Sequence, residues 1–266
     1  MDDLAALRLL VEWGADEAVA DAPLDRFAPR PAPTAAPVAS TASPASTAPP
    51  MAVAARLPPL LSAAAAPARA QALAAAATSL PELHAAMEAF DGCPLRDTAT
   101  STVRPSGNPA AGLVLVAEAP AADDDRAGAA FSGAAGALMD RVLASIGLDR
   151  SGILLTHLVP WRPPGSRAPT EAEVQACLPF LMRALVLMQP RRMVLLGAAP
   201  AKALAGAADG IRRLRGRWLT VPMADGAASV PAMPMLPQEQ WMRTPAAKRD
   251  LWSDLLELRQ SIDTVR

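Results

Sequence analysis

Apolar positions along this chain recur with two different periods. Short, nearly continuous apolar runs at 113–116, 153–159, 193–196, 218–221 and 230–235 have strand length, and between them apolar residues recur at helical spacing. Ser79-Leu80-Pro81-Glu82 has the S-x-x-E form of a capping box and predicts a helix that turns Leu83, Met87 and Phe90 inward and stops near Gly92. Ser132 is placed to cap a helix carrying Leu138, Val142, Leu143 and Ile146. Thr170-Glu171-Ala172-Glu173 is a second capping box, opening a helix that runs to about Met188. A short helix is expected over 199–205 and a closing one from Thr244-Pro245, with Leu251, Leu255 and Leu258 on its inner face. Apolar strands alternating with amphipathic helices are the pattern of a sheet covered on both faces. They predict an α/β protein, a three-layer α/β/α sandwich with a mostly parallel central sheet, whose functional site lies at the ends of the strands.

Ahead of this regular region the pattern breaks down. Leu4, Leu7, Leu10 and Val11 make one helical stripe closed by Gly14, predicting a short helix over 1–14. Residues 15–68 are rich in Ala, Pro, Ser and Thr, a composition that sustains neither helix nor central strand, and are expected to form an extended, disordered linker. Residues 69–266 remain as the folded domain. With 52% hydrophobic residues the chain can bury a full core. Even so, Pro67 and Arg69 interrupt the Ala tracts at 63–77, and no run reaches the roughly 18 uncharged apolar residues of a membrane span. The acidic start lacks the cleavage pattern of a secretory signal, so a soluble, cytoplasmic protein is expected; it is also expected to be a monomer. A formal net charge of −1 gives no overall attraction to nucleic acid, and any such surface must be local.

The most specific wording lies at 116–166. Ala117-Glu118-Ala119-Pro120-Ala121 follows a strand, and the acidic run Asp123-Asp124-Asp125-Arg126 comes next. Then come Ala130-Phe131-Ser132-Gly133, Ile146-Gly147-Leu148-Asp149-Arg150, Thr156-His157 and Trp161-Arg162-Pro163-Pro164-Gly165-Ser166-Arg167. Further words lie at 176–181, 196–197, 201–204, 213–218 and 243–249. In order and spacing, from about 90 to 256, they resemble the family 4 branch of the uracil-DNA glycosylases. Members of that branch read GEAPG, PFVG, TN and WRPPGNR or CRPPGNR at the same places. The resemblance implies a uracil-DNA glycosylase-like domain and hydrolysis of the bond between a damaged base and deoxyribose in DNA repair, with the nucleotide flipped out of the stack.

Such chemistry asks for a carboxylate that stabilises an oxocarbenium-like sugar or aligns water, an aromatic that stacks on the base, and polar groups that read its edge and stabilise its departure. By the resemblance Glu118 is the catalytic carboxylate; standing alone it would be a solvated loop glutamate. Phe131 matches the base-stacking aromatic, against a plain core reading. His157 stands where the family has its base-reading Asn. An amide offers donor and acceptor side by side, whereas imidazole nitrogens point apart, so His157 can make one hydrogen bond to a base or be a satisfied strand-end residue. The family's FHPAYLLR motif aligns with 236–243, where Pro237 replaces the histidine and offers no donor, leaving Gln238 or Gln240 to substitute. Losing one such donor costs roughly 10²–10³ in rate. The motif glycines are Ala117 and Ala121 here, acceptable only where the backbone φ is negative.

Many family 4 enzymes resemble one another in an iron–sulfur site on four cysteines, and the corresponding positions here are Phe90, Cys93, Trp161 and Cys177. Phe and Trp cannot ligate iron, so no cluster and no other metal or cofactor is expected, with Phe90 and Trp161 as apolar filling and the cysteines as small buried residues. DNA, single- or double-stranded, is the implied partner. Arg213, Arg215 and Arg217, beside Arg212, make a phosphate clamp, or else an ordinary solvated loop. Trp241, Met242 and Arg243 sit where a wedge would enter the duplex, with core packing the competing reading of Trp241. The N-terminal helix and linker are candidates to hold a protein partner. Two functions stay open: a glycosylase for uracil or another deaminated base with weakened or altered specificity, or a catalytically degenerate module that binds DNA or a repair partner. Glu118, Phe131 and the Arg cluster favour the first; His157 and Pro237 favour the second.

Overall fold

The order of six strands in one sheet decides where a site can lie. The computed structural model describes residues 65–224, 226 and 228–263; the predicted helix over 1–14 and nearly all of the 15–68 linker lie outside them. The strands are β1 (Ser106–Gly107), β2 (Leu113–Ala117), β3 (Leu154–His157), β4 (Arg192–Leu196), β5 (Leu219–Val221) and β6 (Val230–Met235). Their order is β1-β3-β2-β4-β6-β5, with β3, β2, β4 and β6 parallel and the short edge strands β1 and β5 antiparallel. From β2 the chain steps outward to β3 and then returns to the other side of β2 for β4. The crevice beyond the carboxyl ends of β2 and β4 is therefore a topological switch point, the usual place for a ligand in an open α/β sheet.

Helices cover both faces. On one lie α1 (Ala66–Ala76), α2 (Leu80–Ala89) and α6 (Glu171–Met188), whose Ala70, Leu83 and Phe180 pack with Val114, Val116, Leu154 and Leu195 of the strands. On the other lie α5 (Gly133–Ser145) and α9 (Pro245–Asp263), whose Met139, Leu143, Leu251 and Leu255 pack with Leu113, Leu115, Leu155 and Val194. Alternate residues of each strand thus enter opposite cores, as the two-residue period of a strand requires. Between these elements run α3 (Leu95–Thr98), α4 (Ala122–Ala127), α7 (Ala198–Ala205) and α8 (Ile211–Leu214). The architecture is the three-layer α/β/α sandwich with a mostly parallel sheet. Among the described residues no helix is long and apolar enough to cross a membrane.

Local chemistry sets the helix ends. Thr170 and Glu173 form a reciprocal capping box at the start of α6, and Ser79 caps α2 through the Glu82 N–H. Glu82 itself accepts from the Thr78 N–H and hydroxyl. Ser132 stands at the N-cap of α5, yet its hydroxyl donates to the Ala129 carbonyl and leaves the helix uncapped by a side chain. α1 opens at Ala66, slightly ahead of the expected boundary at 69, with Pro67 in a first turn whose N–H would be unpaired anyway.

Candidate active site

Loops at the carboxyl ends of β2, β3 and β6 enclose a cavity of ≈ 420 Å³, within the range of about 300–1,000 Å³ common for small-molecule sites. Glu118, Phe131, His157 and Gln238 all line it, although they are scattered over 121 positions of sequence (118 to 238, both included). Glu118 follows β2 directly and is half-buried. Burial, and then the negative charge of Glu239, push its pKa above the ordinary value. Glu239 lines the same cavity and had no signal in the sequence beyond being a polar loop residue.

Phe131 is held in the left-handed region at φ 55°. For a bulky residue this is uncommon and stores about 1–3 kcal/mol of strain. Arg150 of the Ile146–Arg150 word holds it, donating from Nη2 to the Phe131 carbonyl at 2.7 Å while also bonding Asp140 and the Ser106 hydroxyl. The same carbonyl lies so close to Gly136 that a Cβ there would collide with it. Buried Phe131 stacks on His157, ring centroids 5.3 Å apart and planes 8° from parallel.

His157 ends β3 beside Ala117 of β2 and is almost fully buried. Burial lowers its pKa to about 3, which leaves the imidazole neutral in ordinary buffers. Its Nε2 lies 3.5 Å from Oδ2 of buried Asp124, too long for a good hydrogen bond. With the ring neutral, this is a carboxyl–imidazole contact and not an ion pair. Asp124 is fixed by two backbone donors: Ser132 N–H to Oδ1 at 2.6 Å and Ala121 N–H to Oδ2 at 3.0 Å. Burial pushes its pKa up against the effect of those bonds. Ala121 has φ −81°, and Ala117 is not among the positive-φ residues, so the two alanines meet the backbone condition set for them.

The remaining lining groups limit what the cavity can donate. Pro237 contributes no N–H, and the Gln238 amide nitrogen is anchored to the Ala135 carbonyl at 2.6 Å. Arg167 supplies the one guanidinium of the lining, and Glu173 takes it bidentately at 2.6 and 2.8 Å. That pairing drives Glu173 down to about 2. The cavity is therefore lined by three carboxyl groups, Glu118, Asp124 and Glu239, against one cation that already has a partner.

Two expectations for the DNA surface need correction. Arg215 turns inward and binds Asp254 at 2.7 Å, Asp250 at 3.4 Å and the Asp250 carbonyl, so it ties α8 to α9 and is unavailable to a phosphate. Trp241 is 1% exposed and its indole N–H donates to the Leu236 carbonyl at 2.7 Å, the arrangement of a core residue. The exposed apolar group of that loop is Met242, at 51%. Arg213, Arg217 and Arg243 are exposed as expected, Arg213 lying 3.8 Å from Asp209. Arg212, Arg213 and Gln240 share a surface recess, and Gln240 belongs to the same turn as Gln238 and Glu239.

The four positions of the implied cluster sit in one core region but do not fit iron. Phe90 and Trp161 are buried, Phe90 packing edge-on against Phe180 at 5.2 Å and Trp161 donating to the Thr102 hydroxyl at 3.0 Å. Cys177 donates to Cys93 with the sulfurs 3.8 Å apart; that bond lowers the Cys93 pKa and raises that of Cys177. Two thiols fall short of the four thiolates such a cluster takes. Among the described residues no group of three or more His, Cys, Asp or Glu is placed to hold a metal ion.

Residues 104–256 match the family model described as the uracil DNA glycosylase superfamily. The chain is 40% identical over 125 residues to a type-4 uracil-DNA glycosylase of Pyrobaculum aerophilum, a stretch covering 47% of this chain and 64% of that protein. It is 40% identical over 119 residues to one from Archaeoglobus fulgidus, covering 45% of this chain and 60% of the relative. With one from Thermotoga maritima it shares 35% identity over 134 residues, covering 48% and 68%. The chain thus spans less than two thirds of the first two relatives' own length.

Proposed function

This chain belongs to the uracil-DNA glycosylase superfamily and is family 4-like, and from that membership we propose that it is a DNA glycosylase of base excision repair, hydrolysing the N-glycosidic bond of uracil or another deaminated base. The observation that carries the proposal is the backbone at Phe131. A left-handed aromatic residue, costing about 1–3 kcal/mol, is held by Arg150 and by the close approach of Gly136 beside the cavity that Glu118 lines. Strain of this kind clusters at active sites and ligand clamps, where a group must be held in one place.

In this reading the flipped base enters the cavity against Phe131, with His157 at its edge. Ionised Glu118 stabilises positive charge on the sugar as the glycosidic bond breaks, or orients the water that adds to the anomeric carbon. The ring of carboxyl groups suits a cationic sugar and opposes an anionic leaving base. Pro237 supplies no donor to offset this, so specificity shifts toward bases that leave as neutral species and uracil release is weakened. Arg213, Arg217 and Arg243 hold phosphates, Met242 is the wedge, and Arg215 and Trp241 have no part in contacting DNA. We also infer that the protein works as a cytoplasmic monomer without an iron–sulfur cluster, its N-terminal arm tethering a partner.

The reading that keeps the scaffold but loses catalysis is favoured by Pro237 and by the absence of an amide at 157. Oligonucleotides carrying uracil, hypoxanthine or xanthine decide between them. Abasic sites formed by the wild type and lost in Glu118→Ala support catalysis; DNA binding without abasic sites supports the degenerate module. Iron and sulfide at cluster stoichiometry in the purified protein would overturn the cofactor reading.

A further inference from the structure

We infer that Asp124 is a positioning residue that fixes His157 as the tautomer protonated on Nε2, so that the nitrogen left for the flipped base, Nδ1, is an acceptor and selects bases with a ring N–H at that edge. The inference rests on the glycosylase reading of the cavity and names what the cavity accepts.

Geometry limits His157 to few states. Its Nε2 faces Oδ2 of Asp124 at 3.5 Å, with both side chains almost fully buried. Each oxygen of Asp124 already accepts a backbone N–H, from Ser132 and from Ala121, which is how an ionised carboxylate is held. An imidazole lone pair aimed at that oxygen would be repelled, whereas an N–H is attracted, so the proton of the neutral ring belongs on Nε2. Nδ1 makes no hydrogen bond among the described residues. No fully enclosed side-chain nitrogen or oxygen among the described residues lacks a partner, so both ring nitrogens reach accessible space; His157 lines the cavity and also a smaller recess beside His84, and with Nε2 turned to Asp124 the nitrogen left without a facing group is Nδ1. The stack of the ring on Phe131 holds its plane.

A single acceptor reads less than an amide does. It accepts the ring N–H of uracil, hypoxanthine or xanthine and repels the ring lone pair that cytosine and adenine present there. It offers no donor to the neighbouring carbonyl. One chemical class, the deaminated bases, is then admitted whether pyrimidine or purine, and discrimination among its members passes to other contacts.

The test begins with the resting protein. The chain has two histidines, so His84→Gln leaves His157 as the only imidazole seen in a two-bond proton–nitrogen spectrum of the full-length chain at pH 7. The expected result is the Nε2-protonated tautomer; the Nδ1-protonated form or an imidazolium would overturn the inference. In Asp124→Asn the spectrum is expected to shift toward the Nδ1-protonated form, and excision of uracil and hypoxanthine to fall by roughly 10- to 100-fold, the effect of setting donor against donor. An unchanged tautomer in a folded Asp124→Asn protein would remove Asp124 from the role. Should no base be excised by the wild type, the glycosylase reading fails on that assay, while the tautomer is still decided by the spectrum.

Discussion

Replacing His157 by Asn tests whether the imidazole is as deeply desolvated as its surroundings require. Burial keeps His157 unprotonated down to about pH 3, whereas in the unfolded chain an imidazole gains its proton near pH 6.5. Because the folded value is the lower one, the unfolded state binds more protons between the two. This contribution to stability is complete above about pH 6.5 and drains away as the pH falls toward 3. At pH 4.5 the gap is two pH units at about 1.4 kcal/mol each, or about 3 kcal/mol. Asn does not titrate, so between pH 7.5 and 4.5 the wild type should lose about 3 kcal/mol more than His157→Asn. Urea unfolding of both proteins at both pH values measures this double difference. Carboxyl groups and His84 are common to the two chains and largely subtract out; Asp124, next to the replaced ring, keeps its backbone donors in both. Equal losses, within about 0.5 kcal/mol, would mean that His157 is protonated in the fold at pH 4.5 and is not the buried neutral ring that the base-reading argument needs.

Other perturbations separate neighbours that look alike. Trp241→Ala should cost about 3–5 kcal/mol of stability, while Met242→Ala should leave stability within about 0.5 kcal/mol and slow excision from duplex DNA. Thermal unfolding and duplex kinetics check the pair, and an unchanged melting temperature in Trp241→Ala would put that indole outside the core. Glu239→Gln removes a negative charge facing Glu118, so the acid limb of the kcat/KM profile should move to lower pH; an unmoved limb would show that the two carboxyl groups do not communicate. Arg215→Ala should destabilise by about 3–5 kcal/mol, because it strands buried Asp254. Arg213→Ala and Arg217→Ala should each reduce the slope of log affinity against log salt on duplex DNA by about 0.9 with stability intact, and equal slopes in all variants would dissolve the phosphate clamp.

The layers of the fold were legible because buried parallel strands are apolar at every position. The run at 230–235 became β6 despite Pro231 and Pro234, and the Thr170–Glu173 box opened α6 as written. What escaped is what depends on long-range hydrogen bonds. β1 and the end of α4 are placed by bonds such as Arg104 N–H to the Gly128 carbonyl, which leave no periodicity behind. Adjacent residues of one loop defeated sequence reasoning for a related reason. Trp241 and Met242 are both apolar, and only the Leu236 carbonyl decides which is drawn inward. Arg215 differs from Arg213 and Arg217 only because Asp254, 39 positions later in α9, lies beneath it.

The candidate site divides the same way. Glu118, Phe131 and His157 stand in words specific enough to be read from the chain. Asp124 is the middle of three aspartates; it and Asp125 are both buried, and the bonds to Ala121 and Ser132 hold Asp124, not Asp125, at the cavity. Glu239 belongs to a loop that meets Glu118 only once β6 is in place beside β4. That proline offers no donor at 237 follows from its chemistry, but the anchoring of Gln238 at Ala135 could be seen only in three dimensions.

The most direct measurement is single-turnover release of base from oligonucleotides carrying uracil, hypoxanthine or xanthine, by the full chain and by Glu118→Ala. Abasic sites made by the wild type, with the rate falling at least roughly 10²-fold in the variant, are the predicted result. DNA that is bound with no abasic site formed at any of the three bases, or a rate unchanged by loss of Glu118, would contradict it.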